Sequence, residues 1–172
     1  MILWLTGLPG SGKSTLASGL EQRLRQQGTP CYVLDGDVVR KGLSSDLGFS
    51  PKDRSENIRR IGEVAALFAD AGLIVITAFI SPYRADRARA RTAGGAFFHE
   101  IYIKAPVEVC EVRDPKGHYR RARAGELAEF TGVSAPYEAP EAADLVIETN
   151  KETVEESLDR LMNYVRARLT AG

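Results

Sequence analysis

The sequence predicts an α/β fold in three layers, with a mainly parallel five-stranded sheet packed between helices. Three observations carry that expectation. Short apolar runs alternate with stretches of helical period along the whole chain. The runs Ile2-Leu3-Trp4-Leu5, Cys31-Tyr32-Val33-Leu34 and Leu73 to Phe79 are continuous, as in parallel strands covered on both faces. The first of them leads into Gly7-x-x-x-x-Gly12-Lys13-Ser14 and then a helical pattern. That is the strand, loop and helix unit of P-loop nucleotide-binding proteins, in which backbone N–H groups wrap a polyphosphate. A chain of 172 residues, 44% of them hydrophobic, suits one such domain spanning 1–172.

In chain order, Gly7, Leu8, Pro9, Gly10, Ser11, Gly12, Lys13, Ser14 and Thr15 form the phosphate-binding loop. Lys13 would reach the outer phosphates of ATP and the Ser14 hydroxyl would sit on a magnesium ion. Leu16, Leu20 and Leu24 share one face of a helix from Leu16 to Gln27, closed by Gly28. The strand Cys31–Leu34 ends in Asp35-Gly36-Asp37, beyond the carboxyl end where open α/β sheets bind ligands. Those two carboxylates should therefore meet the phosphate loop.

Residues 38–50 read as loop and short helix, broken at Gly42 and Gly48. Ser50-Pro51 is an N-cap followed by proline at the first helical position, opening a helix to Ala71 that Gly72 ends. The β-branched run Leu73–Phe79 is expected as a central buried strand, with Ile80-Ser81-Pro82-Tyr83-Arg84 at its carboxyl end. An arginine-rich helix with a solvated outer face spans Tyr83 to Thr92, and a strand spans His99 to Ile103. Pro106 opens a short helix to Val112. Residues 113–140 are irregular and read as a lid, because a long irregular segment inside a compact domain is commonly functional. Leu145-Val146-Ile147 is the fifth strand. Thr153-x-x-Glu156 is a capping box for a last helix, with Val154, Leu158, Leu161 and Val165 facing inward.

The 23 basic and 23 acidic residues cancel, so no global field favours nucleic acid or an anionic membrane. Cys31 and Cys110 lie in apolar runs without metal-ligand spacing, and read as buried thiols of a reducing compartment. No apolar segment approaches the length that crosses a bilayer, and the N-terminus lacks the pattern of a signal peptide. A cytoplasmic protein is expected, either whole or as a domain of a longer one.

The reaction class follows by comparison within P-loop proteins. A guanine-reading Asn-Lys-x-Asp motif is missing from the sequence, and Leu73–Phe79 ends without the acid that a motor or transport ATPase needs there. Asp35 and Asp37 remain to help the metal or take a proton from a hydroxyl substrate, which favours a small-molecule kinase. Arg40, Arg54, Arg59 and Arg60 lie in the same stretch with Phe49 and Asn57. Arginines suit phosphate or sulfate, and an aromatic face suits a base.

At this point the residues resemble the adenylylsulfate kinase family. The resemblance is carried by Leu34-Asp35-Gly36-Asp37-x-x-Arg40-x-Gly42-Leu43, Asp46-Leu47-Gly48-Phe49-Ser50, Asp53-Arg54 and Glu56-Asn57-Ile58-Arg59-Arg60. It continues through Phe79-Ile80-Ser81-Pro82-Tyr83-Arg84, Asp114-Pro115-Lys116-Gly117, Arg120 to Glu126, Phe130-Thr131-Gly132 and Pro136-Tyr137-Glu138-Ala139-Pro140. The resemblance implies transfer of the γ-phosphoryl of ATP to the 3′-hydroxyl of adenosine 5′-phosphosulfate. It implies that Asp37, beside Asp35, orients and deprotonates that hydroxyl, with one of the two holding a metal-bound water. Arg40 and Arg54, assisted by Asn57 and backbone near Ile80 and Ser81, would grip the phosphosulfate, and Phe49 and Phe130 would sandwich the substrate adenine. Lys116 would approach the transferring phosphoryl, and Arg113 would lie near the ATP base. The family has been described with a phosphoserine at the position of Ser81. The sequence gives this serine no neighbouring base, and an in-line transfer needs only positioning, so Ser81 is read as a substrate contact.

His118 departs from the family's pattern, where an apolar residue is expected, and receives no role. The family also implies a homodimer, and occurs both alone and fused to ATP sulfurylase. Two other readings stand beside this one. The first is a different small-molecule kinase. The second is a non-catalytic nucleotide-sensing domain of a sulfate-activating fusion, against which the intact Gly7, Gly12, Lys13 and Ser14 argue.

Overall fold

The structure, a computed structural model, describes residues 1–170; the last two residues of the expected 1–172 domain lie outside it. The strands are β1 (Ile2–Thr6), β2 (Cys31–Asp35), β3 (Ile74–Ala78), β4 (Phe98–Lys104) and β5 (Leu145–Glu148). They form one sheet in the order β2-β3-β1-β4-β5, and every neighbouring pair is parallel. The helices are α1 (Lys13–Gln26), α2 (Gly36–Val39), α3 (Pro51–Asp70), α4 (Arg84–Gly94), α5 (Val107–Arg113), α6 (His118–Arg123) and α7 (Val154–Leu169).

As expected, the run Leu73–Phe79 supplies a buried interior strand, β3, over Ile74–Ala78. It lies beside the middle strand, which is β1. Both strands are covered on both faces, so continuity of apolar residues cannot rank them. The central place of β1 has a consequence for function. Its neighbours β3 and β4 lie on opposite sides, so the chain reverses direction across the sheet there, and a crevice opens at its carboxyl end.

The two faces of the sheet bury separate cores. Leu3, Leu5, Ile76, Ile101 and Ile103 pack against Leu16, Leu20 and Leu24 of α1 and Leu158, Leu161 and Val165 of α7. On the other face, Ile2, Trp4, Val75 and Phe98 meet Ile58, Ile61 and Ala65 of α3 and Ala90 of α4. Thr153 and Glu156 form the expected capping box. Val154, expected inward, is instead half exposed, because the first turn of α7 overhangs the sheet and the helix meets the core only from Ser157 and Leu158 onward.

The arginine-rich helix α4 is solvated on its outer face but buries Asp86, Arg87 and Ala90. Residues 113–140 are more ordered than expected. Asp114 accepts the backbone N–H groups of Tyr119 and Arg120, and so initiates α6. Tyr119 is buried among Leu8, Val107 and Phe130. At the far end, the Glu138 N–H donates to Pro82 O at 2.9 Å and its carboxylate accepts the Arg84 N–H at 2.7 Å. Cys31 and Cys110 are both free and buried. Among the described residues, no helix is long and apolar enough to cross a membrane.

Candidate active site

The loop between β1 and α1 is shaped by close approaches. A Cβ on Gly7 would stand 2.3 Å from Ile103 O, and one on Gly10 would stand 2.9 Å from Cys110 O, at a φ of +76°. Neither position tolerates a side chain without moving backbone. α1 begins at Gly12 with no side-chain cap and no acidic residue in its first turn. Its N–H groups and positive dipole end are therefore available to an anion.

Lys13 folds over this loop and donates to Gly7 O at 2.9 Å and Leu8 O at 2.7 Å. Burial pushes its ammonium down to about 8, against the pull of Asp35 and with the repulsion of Lys116. A buried cation held by two carbonyls and the Ser11 hydroxyl, with no carboxylate bonded to it among the described residues, is well placed to gain from a phosphate.

Beside Lys13, the Ser14 hydroxyl donates to the Asp35 carboxylate at 2.9 Å. The other oxygen of Asp35 accepts the Asp37 N–H at 2.9 Å, capping α2. The two motifs that sequence order separates thus meet, as expected. The Asp37 carboxylate is ion-paired with Lys116, which reaches over from residues 113–140.

A second cluster lies against α3. The Arg40 guanidinium sits 4.2 Å over the Phe49 ring and donates to Leu47 O and Gly48 O. Arg54 donates to Phe49 O, Thr131 Oγ1 and Glu129 O. Burial and the nearby Arg54 cation lower the affinity of Arg40 for its proton, so two like charges converge here and, among the described residues, no carboxylate is bonded to either. Asn57 is buried and its side-chain carbonyl lacks a hydrogen-bond partner. Phe49 is 63% exposed at the rim, and Phe130 stands edge-on to the rings of Tyr119 and His118.

One cleft of about 980 Å³ joins these groups. It is lined by the phosphate loop, Asp35, Asp37, Arg40, Phe49, Arg54, Asn57, Ile80, Ser81, Arg113, Lys116 and Phe130. Arg59 and Arg60, expected at this edge, are elsewhere. Arg59 pairs with Glu56, and Arg60 with Glu56 and Asp46, because those positions turn away from the face that carries Arg54, Ile58 and Ile61.

Ser81 is almost fully buried, at a φ of +40°, and its hydroxyl accepts the Trp4 indole N–H at 3.1 Å. Among the described residues no histidine or lysine bonds to it. Arg113 donates to Thr149 O at 2.6 Å and Thr149 Oγ1 at 3.0 Å, and Thr149 Oγ1 donates to Ser11 O at 2.8 Å. Thr131, Tyr119 and Thr149 were missed at the sequence level. Each is a lone polar residue whose partner lies far away in the chain, so no spacing marks it.

The chain is similar along nearly its whole length to known proteins. A family model described as adenylylsulphate kinase matches residues 1–148. The adenylyl-sulfate kinase of Clostridium acetobutylicum is 56% identical over 165 residues, covering 96% of this chain and 82% of its own. That of Paraburkholderia xenovorans is 55% identical over 164 residues, covering 95% and 92%. An APS kinase of Mycobacterium tuberculosis, solved in complex with AMPPNP and APS, superposes with a TM-score of 0.92 at 43% identity over 96% of each chain.

Proposed function

The chain belongs to the adenylylsulphate kinase family, an ATP-dependent kinase family, and we propose how its own residues divide the work of moving the γ-phosphoryl of ATP onto the 3′-hydroxyl of adenosine 5′-phosphosulfate. The observation that carries this division is the single cleft. Its walls include the phosphate loop, the arginines Arg40 and Arg54 with Phe49 and Phe130, and the carboxylates Asp35 and Asp37, which supports a division into an ATP end and an acceptor end.

At the ATP end, the residues from Gly7 to Thr15 bind the phosphates and Lys13 neutralises charge on the outer ones. Arg113 flanks the base with Thr149. The Ser14 hydroxyl and the Asp35 carboxylate offer hard oxygen donors side by side, a set that fits magnesium directly or through water. Magnesium, when bound, neutralises charge on the phosphates. At the other end, Arg40 and Arg54 hold the phosphosulfate, Asn57 offers its free carbonyl, and Phe49 and Phe130 enclose the adenine.

Asp37 lies between the two ends. It orients the 3′-hydroxyl and accepts its proton as the hydroxyl oxygen bonds to the γ-phosphorus and the bond to the bridging oxygen of ADP breaks. Lys116 leaves its pair with Asp37 and turns to the transferring phosphoryl. Residues 113–140 act as the lid that carries Lys116 and Phe130, and they exclude water when both substrates are bound. Ser81 acts as a substrate contact and not a nucleophile, a reading supported by its hydroxyl bonding to the Trp4 indole N–H and, among the described residues, to no histidine or lysine that could activate it. Ser81→Ala is expected to keep substantial turnover. The free, buried thiols of Cys31 and Cys110 suit the reducing interior of a cell.

The test is ADP release with ATP and magnesium, comparing adenosine 5′-phosphosulfate with adenosine 5′-monophosphate. Turnover confined to the sulfated nucleotide is expected. Turnover with the monophosphate alone would reassign the protein to another small-molecule kinase, and binding without turnover would make it a nucleotide sensor.

A further inference from the structure

We infer that Arg87, a buried arginine on α4 outside the cleft lining, is a positioning residue that fixes the substrate-facing loop 80–82 and ties it to the end of the lid. Arg87 is 3% exposed and uses its guanidinium in three directions. It donates to the Glu100 carboxylate of β4 at 2.6 Å, to Ser81 O at 2.7 Å and to Glu138 O at 2.7 Å. Its carbon centre also stands 5.8 Å from the centroid of the Tyr137 ring.

The object of this bracing is strained backbone. Ser81 holds a φ of +40°, which a non-glycine residue keeps only where its surroundings over-determine it. β1 supplies the rest of the clamp. Thr6 Oγ1 donates to Ile80 O at 2.7 Å, the Tyr137 hydroxyl lies 3.0 Å from Thr6 Oγ1, and the Trp4 indole holds the Ser81 hydroxyl. The same arginine therefore bonds the carbonyl of the loop and the carbonyl of the segment where residues 113–140 rejoin the body. Only a planar fork with several donors can meet three acceptors in this spread, so lysine cannot replace it.

The inference rests on the reading that loop 80–82 touches the sulfonucleotide. Without Arg87 the loop loses its strained conformation, and the loss falls on adenylyl sulfate and not on ATP, whose phosphate loop follows β1 and, among the described residues, makes no bond to Arg87. Three variants test it: Arg87→Lys, Arg87→Met, and Arg87→Met with Glu100→Gln, which avoids leaving the glutamate with only the more distant Arg91 as a partner. The expected result is a KM for adenylyl sulfate raised about tenfold or more, with the KM for ATP within about twofold of the parent. Amides of residues 80, 81 and 83 should exchange hydrogen faster in the variants and gain protection in the parent when adenylyl sulfate is added.

A parent-like KM for adenylyl sulfate in a folded double variant would overturn the inference while leaving the loop's assignment intact. Equal loss for both nucleotides, or loss of fold in all three variants, would make Arg87 a general structural residue and overturn it as well. Amides of the parent loop that ignore adenylyl sulfate would instead remove the reading beneath it.

Discussion

Lys13 is the side chain whose protonation responds most directly to a ligand. Burial brings it from 10.5 down to about 8, so between those values the unfolded chain holds more protons than the folded one. Stability of the free protein should therefore rise with pH through that window. A bound triphosphate restores the charge, so ATP binding near pH 8 should take up a fraction of a proton. Calorimetry in two buffers of different ionisation enthalpy reads that uptake, and identical heats in both would refute it. Lys13 and Arg54 should also separate the two ends of the cleft. Lys13→Ala should lower turnover by about a hundredfold or more. Arg54→Ala, which removes a charged donor from the other end, should raise the KM for adenylyl sulfate by about 10- to 100-fold, leaving ATP affinity unchanged. Equal loss of ATP binding in the two variants would sink the assignment.

At the scale of elements, the sulfonucleotide end depends on how closely α3 and α4 approach. A Cβ on Gly62 of α3 would stand 3.1 Å from Ala90 Cα, so the two backbones pack through a position without a side chain. Gly62→Leu should cost about 1–3 kcal/mol by overpacking, visible as a lower denaturant midpoint. It should also weaken adenylyl sulfate binding more than ATP binding, because α3 carries Arg54 and Asn57 while α1 lies on the opposite face of the sheet. Much of this layer was legible. The period of α3 put Ile58 and Ile61 inward, and the same period separates Arg54 from Arg59, a distinction that adjacency in sequence conceals. Arg87 shares its face with the buried Ala90, three positions on, so helical phase marks it too. Two features were not legible. α6 is too short for its period to show and is started by the side chain of Asp114, and the stacking of Arg40 on Phe49 depends on a loop with no repeat.

For the molecule as a whole, the sheet order sets the economy of the site. β1 delivers the phosphate loop, β2 delivers Asp35 and Asp37, and β3 delivers loop 80–82, all to one edge. Alternating apolar runs predict a parallel sheet with that edge, but not which strand lies in the middle, since β1 and β3 are equally covered. The pair between Lys116 and Asp37 spans the cleft at this edge, and it bears on a side reaction. A carboxylate able to take a proton from a sugar hydroxyl can do the same for a water molecule, which would release inorganic phosphate from ATP to no purpose. While Lys116 occupies Asp37, that carboxylate would be shielded until adenylyl sulfate has also bound and the lysine turns to the phosphoryl. Lys116→Met should therefore slow transfer and also raise phosphate release per product formed when the acceptor is scarce. A lower or unchanged ratio would show that the pair does not guard the enzyme against idle hydrolysis.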